Sequence, residues 1–238
     1  MKKTGYLYYL IIILLFICFI ALIINVYSNL SKTASLGAIP ADSKVTFVID
    51  PGHGGEDGGA VANGVTEKDI NLSIALCLTD IMRFNGYDVV LTRAEDQSIE
   101  TEGDTLRRRK VSDMKNRLSV YNSSPDNVVI SIHQNKFTQD QYNGTQVFYS
   151  ENNSESKILA DEIKNSVISA LQPDNTRESK PAGKDIYLLY NSNVPSVIVE
   201  CGFISNREDA EKLKDEYYQK QMAWCIYRGA IDFLIKNS

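Results

Sequence analysis

The sequence predicts a layered α/β domain on a largely parallel sheet. Short β-branched runs alternate with longer segments of helical periodicity, the pattern of strands joined by crossover helices. Three of the runs end at chemistry-bearing side chains. Val48-Ile49-Asp50-Pro51-Gly52-His53 and Val129-Ile130-Ser131-Ile132-His133 each end at an imidazole, and Val197-Ile198-Val199-Glu200 ends at a carboxylate. In open α/β sheets, ligands gather at the carboxyl ends of the strands.

Taken in order, the chain opens with Lys2 and Lys3, then an uninterrupted apolar stretch from Leu7 to Ile24. That is about the minimum length for spanning a bilayer. It is a signal peptide or a signal anchor. The stretch exceeds the roughly 7–15 residues of a signal-peptide apolar region, and no small-x-small cleavage site follows in Asn25 to Ser35. An uncleaved anchor over residues 1–27 is favoured. Lys2 and Lys3 then stay in the cytoplasm and the rest faces outward. Residues 28–43 are polar, small and Pro-containing and read as a linker, leaving 44–238 as the outer domain.

Within that domain Val45–Ile49, Tyr87–Thr92, Val128–Ile132, Thr145–Tyr149, Ile186–Tyr190 and Ser196–Glu200 read as strands. Glu67–Phe84 carries apolar residues at Ile70, Ile74, Leu78 and Ile81, the stripe of an amphipathic helix. Leu106–Tyr121, Ser154–Leu171 and Asp215–Ile235 are also helical in pattern, and Ala94 to Asp104, polar and acidic, reads as a loop near an open edge.

The chain has 238 residues, 43% hydrophobic, enough for one sizeable core. Its net charge is −5; Lys2, Lys3, Lys32 and Asp42 contribute +2, so the outer part carries −7. An acidic domain with no basic, aromatic-interleaved face is a poor nucleic-acid binder. Cys18 lies in the apolar segment without the small residues of a lipidation site. Cys77, Cys201 and Cys225 are isolated; an exported location permits a disulfide, but sequence does not pair three cysteines. They read as small core hydrophobes, and the apolar neighbours of Cys201 argue against a nucleophile.

His53 and His133 are the only histidines. A catalytic zinc takes three protein ligands and leaves the fourth position for water. Val65-Thr66-Glu67-Lys68-Asp69 is the best source of the third: Thr66 and Asp69 resemble a helix cap, which puts Glu67 in the first turn at the same sheet edge. Alone, Glu67 reads more simply as an acid favoured by the helix dipole. Glu200 is a ligand or a proton carrier; if His53, Glu67 and His133 hold the metal, it is free for the proton. Asp50 reads equally as a partner for an imidazole N–H or as a strand-end turn residue. The glycines of Gly52–Gly59 lack the spacing and the Lys-Ser/Thr of phosphate loops, so they serve to bend backbone tightly around an accessible His53.

Ile49-Asp50-Pro51-Gly52-His53-Gly54-Gly55, the helix-opening Glu67, Ser131-Ile132-His133-Gln134-Asn135 and Val199-Glu200-Cys201-Gly202-Phe203-Ile204-Ser205-Asn206 resemble the ordered motifs of zinc-dependent N-acetylmuramoyl-L-alanine amidases. The resemblance runs from about Val45 to the C-terminus. It implies a mixed, mostly parallel six-stranded sheet flanked by helices on both faces. It also implies hydrolysis of the amide between the lactyl group of muramic acid and the L-alanine of the stem peptide, with peptidoglycan as substrate. His53, Glu67 and His133 match the family's zinc ligands and Glu200 its catalytic glutamate. Thr105 to Leu118 is similar to the corresponding stretch of the germination-type (CwlD-type) amidases of spore formers, which implies a role in making spore cortex, where muramic δ-lactam forms. The implied location is the outer face of the cytoplasmic membrane, or the wall, and in sporulating cells the cortex space around the forespore.

Two departures stand out. Gln134 replaces a smaller residue, with an expected effect on access at the metal, and Cys201 replaces an aliphatic one. Two imidazoles and one carboxylate raise the question of how zinc is retained, and an accessory protein that stabilises the metal-loaded form is one expectation. The rival readings are another cell-wall zinc hydrolase, a peptidase or a deacetylase, and a non-catalytic wall-binding module.

Overall fold

In the computed structural model, which describes residues 12–25 and 45–237, the β-branched runs assemble into one six-stranded sheet. β1 (Thr46–Pro51) lies between β4 (Asp88–Leu91) and β5 (Asn127–Asn135), parallel to both. β5 pairs in parallel with β8 (Ser196–Phe203). Beyond it β6 (Gln146–Tyr149) runs antiparallel, and β7 (Lys180–Pro181) closes the edge parallel to β6. The sheet is therefore mixed and mostly parallel, in the order β4-β1-β5-β8-β6-β7. The central strands β1, β5 and β8 are buried over nearly their whole length, as expected of parallel strands covered on both faces. A small antiparallel hairpin, β2 (Val61–Ala62) and β3 (Val65–Thr66), turns at Asn63 and Gly64, both at positive φ.

α2 (Glu67–Phe84), α4 (Glu155–Leu171) and α7 (Glu216–Lys236) pack together on one face of the sheet, and α6 (Arg207–Lys214) leads into α7. α3 (Leu106–Tyr121) and α5 (Tyr187–Asn191) pack together on the other face. Alternation along the strands serves both sides. Val48 and Val129 meet Tyr121 and Val194 beneath α3 and α5. Asp50, Ser131, His133, Ile198 and Glu200 lie in the same rows of that face, by the registers Val48↔Val129, Asp50↔Ser131, Ser131↔Ile198 and His133↔Glu200.

Two elements differ from the sequence reading. Ile186–Tyr190 is not a strand: Tyr187–Asn191 is helical, with Tyr190 N donating to Ile186 O at 2.9 Å. The edge beside β6 is already taken by Lys180–Pro181, where Ala182 N donates to Tyr149 O at 2.9 Å. A single turn instead lets Ile186 and Leu189, three apart, both reach Ile198. α6 was not expected, because its segment is mostly charged. It is set by the Asn206 cap, whose side chain accepts from Asp209 N at 3.0 Å, and by burial of Ala210 and Leu213.

The chain divides into two units, Met1–Asp42 and Ser43–Ser238. In the first, residues 12–25 form helix α1, whose large apolar side chains are exposed. No helix among the described residues is long and apolar enough to cross a membrane. The remainder of the expected anchor and the expected linker over 28–43 lie outside the described residues.

Candidate metal centre

The site is built at the carboxyl ends of β1, β5 and β8. β1 runs out into the glycine-rich segment that begins at Gly52. There His53 takes the left-handed backbone conformation, φ 63°, which sends its ring back toward the sheet edge. Two glycines leave room for the imidazoles. A Cβ on Gly52 would lie 2.1 Å from His133 Nε2. A Cβ on Gly59, itself at φ 66°, would lie 2.6 Å from Glu67 Oε2 and 2.7 Å from the His53 ring.

Glu67 is the first residue of α2, but not through the expected cap. Thr66 occupies the cap position without a side-chain bond. The first-turn N–H groups instead donate to the glycine loop, Glu67 N to Ala60 O at 2.9 Å and Lys68 N to Gly58 O at 3.2 Å. The loop and the helix start are thus one unit.

The buried Glu67 carboxylate lies between the two histidines. Its Oε1 is 3.3 Å from His53 Nε2, 2.9 Å from His133 Nδ1 and 3.1 Å from Gln134 N; its Oε2 accepts from Ala60 N at 2.8 Å. The imidazoles hold its carboxyl well below the usual range against the opposing effect of burial. Asp57 and Glu67 together raise His53 to about 9, although burial acts the other way. One ligand atom from each of His53, Glu67 and His133 lies within 4.8 Å of the other two. Tetrahedral zinc with bonds of about 2.0–2.2 Å sets its ligands roughly 3.3 Å apart. Two imidazole nitrogens facing one carboxylate oxygen at 3.3 and 2.9 Å fit that ion.

Glu200 stands beside His133 in register on the neighbouring strand. Its Oε2 is buried and has no hydrogen-bond partner among the described residues. Burial, with Glu67 adding repulsion, pushes its carboxyl up to about 7 against the pull of His133 and His53. Such a group can take and give a proton near neutral pH.

Asp50 does not partner an imidazole. It is fully buried and accepts from Thr92 Oγ1 at 2.5 Å, Ser131 Oγ at 2.8 Å, Tyr121 OH and Arg117 Nη1. Arg117, also buried, donates to Pro51 O at 2.9 Å and His53 O at 2.8 Å. Arg93 donates to Pro51 O at 2.9 Å, Gly52 O at 3.1 Å and Lys68 O at 2.9 Å. Two buried guanidinium groups therefore clamp the backbone that carries His53. The sequence reading missed both, and neither spacing nor composition marks them. The imidazole N–H partner is Asp57, four residues beyond His53, at 3.0 Å. Its place in the glycine loop was the available signal.

Gln134 is not among the residues that line the cavity at these groups. Its side chain is buried, with Nε2 donating to Asn71 Oδ1 at 3.2 Å on α2. Cys201 is buried and its thiol is pushed well up by burial, which leaves it without nucleophilic character. All four cysteines are free, with Cys201 and Cys225 in the core, Cys77 half-buried and Cys18 exposed.

A cavity of about 240 Å³ opens onto the centre. His53 and His133 line one end; Met114 and Leu188 supply apolar wall, and Arg109 and Tyr187 polar edge. Segment 94–104, regular in neither pattern nor structure, borders the cavity with Ser98 and Glu100. It is tied down by Ile99 N to Asp113 Oδ1 at 2.8 Å and Asn116 Nδ2 to Ile99 O at 2.6 Å.

Comparison with known proteins gives a consistent picture. Residues 47–232 match the family described as N-acetylmuramoyl-L-alanine amidase. The germination-specific N-acetylmuramoyl-L-alanine amidase of Bacillus subtilis (strain 168) is 33% identical over 205 residues, covering 84% of this chain and 84% of the relative. Among solved structures, the CwlD amidase from Clostridioides difficile, in complex with the GerS lipoprotein, is 40% identical with a TM-score of 0.78, over 81% of this chain and 100% of that one. The N-acetylmuramoyl-L-alanine amidase from Clostridium difficile 630 is 28% identical with a TM-score of 0.70, over 83% of this chain and 100% of that one.

Proposed function

This chain belongs to the N-acetylmuramoyl-L-alanine amidase family, and from that premise we propose that it removes stem peptides from peptidoglycan during spore cortex synthesis, with His53, Glu67 and His133 as the residues that would hold a zinc ion and Glu200 as the proton carrier. The chain is an amide hydrolase by family. Its reaction separates N-acetylmuramic acid from the L-alanine of the stem peptide.

One observation supports the zinc assignment: two imidazole nitrogens converge on one Glu67 oxygen, and the neighbouring Glu200 has a buried oxygen without a hydrogen-bond partner among the described residues. Zinc there supplies Lewis acidity and makes water a better nucleophile at neutral pH. The chain's own groups do the rest. The cavity holds the muramoyl-peptide with its amide against the histidines. Arg93 and Arg117 keep the His53 backbone from shifting as charge develops. Glu200 Oε2 takes a proton from the attacking water as its oxygen bonds to the lactyl carbonyl carbon. The same oxygen then delivers a proton to the alanine nitrogen as the C–N bond breaks, so the products are a free carboxyl and a free amine. A carboxyl near 7 is suited to both halves of that exchange.

The cortex role rests on similarity to the germination-specific relative and the CwlD structure. Removal of stem peptides there precedes formation of muramic δ-lactam by a separate deacetylase. The enzyme acts outside the cytoplasm. The apolar N-terminal stretch, of which α1 is the described part, tethers it to the outer face of the membrane as an uncleaved anchor over residues 1–27, followed by a linker over 28–43 and the catalytic domain over 44–238. An accessory protein that stabilises the metal-loaded form is the proposed partner. CwlD was solved together with a lipoprotein, which supports it.

Mass spectrometry of fragments from purified peptidoglycan, with and without chelator, tests the reading. Free stem peptides with intact glycan, lost on chelation and restored by zinc, are expected. Cut peptides or deacetylated sugars would replace this account with that of a peptidase or a deacetylase.

A further inference from the structure

We propose that Asp57, held in place by Lys110, is the positioning residue that fixes the His53 imidazole with Nδ1 protonated and Nε2 presented to the metal centre. This rests on the zinc reading above and adds a device for it. His53 stands on a strained, left-handed residue in a loop of glycines, which by itself leaves the ring free to turn. The ring is nonetheless fixed at both nitrogens. Nδ1 meets Asp57 Oδ2 at 3.0 Å, and Nε2 faces Glu67 Oε1 at 3.3 Å. Both ring nitrogens face a carboxylate, which only accepts, but Nε2 shares the Glu67 oxygen with His133 whereas Nδ1 has Asp57 to itself; Nε2 is therefore the nitrogen that gives up its proton to a metal, and Nδ1 keeps the one it donates to Asp57.

Asp57 is itself held. Its Oδ1 accepts from Lys110 Nζ at 2.8 Å and from Gly59 N at 3.3 Å, so both oxygens are committed. Lys110 lies on α3, which lines the cavity, and the neighbouring Arg109 pairs with Glu56 of the same loop. The helix that walls the cavity thus holds His53 twice, its backbone through Arg117 and its ring through the Asp57 carboxylate. His133 is presented in the opposite sense: its Nδ1 faces Glu67, and its Nε2 lies against Gly52. The two histidines therefore offer different nitrogens, and only His53 depends on a side chain of the loop for its choice.

The test uses the full chain, zinc itself as probe, and the fact that only two histidines are present. Long-range 1H–15N spectra of the zinc-loaded protein should show His53 protonated at Nδ1 and ligating through Nε2. Zinc affinity by chelator competition should weaken about 10–100-fold in Asp57→Asn, and by less in Lys110→Gln. Asp57→Glu should recover part of the loss. Asp57→Asn that binds zinc as tightly as wild type overturns the proposal, and so does His53 ligation through Nδ1, which is read on wild type even if the variant does not fold. An unchanged Lys110→Gln removes Lys110 from the account. Wild-type protein that takes up no zinc overturns the metal reading, and this one with it.

Discussion

Asp50 and Glu200 are both carboxylates near the carboxyl ends of buried strands, on the same face of one sheet, and the protein treats them in opposite ways. Asp50 is surrounded by donors from Thr92, Ser131, Tyr121 and Arg117, and the guanidinium and hydroxyls hold its carboxyl far below the usual range although burial acts against them. Glu200 has a buried oxygen with no donor among the described residues, and burial pushes it up to about 7. The difference lies in the neighbours. A fully paired buried carboxylate is a stable anion that braces backbone; an unpaired one exchanges a proton at low cost and suits chemistry. Through Arg117, the braced carboxylate supports the loop that carries His53, while the other acid is the one proposed to carry the proton.

The comparison can be broken most directly at Glu200. Glu200→Gln removes the proton carrier while keeping the shape, and turnover should fall about 10²–10⁴-fold with zinc content unchanged. Activity measured on defined muropeptides beside metal analysis checks this, and near wild-type turnover would remove Glu200 from its role. Asp50→Asn should do the converse. Stability should drop by about 3 kcal/mol, the cost of removing one charge of a buried ion pair; Arg117 keeps Asp113, 2.7 Å from its Nε, which limits the loss. Denaturant unfolding reads it, and an unaltered midpoint would mean that Asp50 is no brace.

The smallest effect is in the pH dependence of the zinc-free protein, where the two acids should have opposite signs. The folded pKa of Asp50 is depressed, so its contribution is present above about 3.8 and lost as pH falls below it. The folded pKa of Glu200 is raised, so its contribution is complete below 4.5 and lost as pH rises through about 7. Thermal melts across that upper window should show a slope that Glu200→Gln reduces. An identical slope in the variant would contradict the environment described for Glu200.

Much of the architecture was legible along the chain. The helices over 67–84 and 155–171 fall where their periodicity puts them, because an apolar stripe is a local property. Ile186–Tyr190 misled because a short apolar run has no period to separate strand from helix, and a free sheet edge, which it lacked, decides between them. Residues 207–214 misled in the other direction, since a charged segment hides three buried positions.

At the site, the sequence by itself determined which residue types stand at the strand tips: His53 after β1, His133 in β5, Glu200 in β8 and Glu67 at a helix start. Chain order and strand pattern carry that information. Only the tertiary structure decided which nitrogen each histidine presents, that Asp57 rather than Asp50 meets the imidazole, and that Arg93 and Arg117 hold the loop from 41 and 64 residues away in the chain. It alone left Glu200 Oε2 without a donor among the described residues. Partners brought together by packing share no local pattern, and a carboxylate's chemistry is set by the distances and burial that packing imposes.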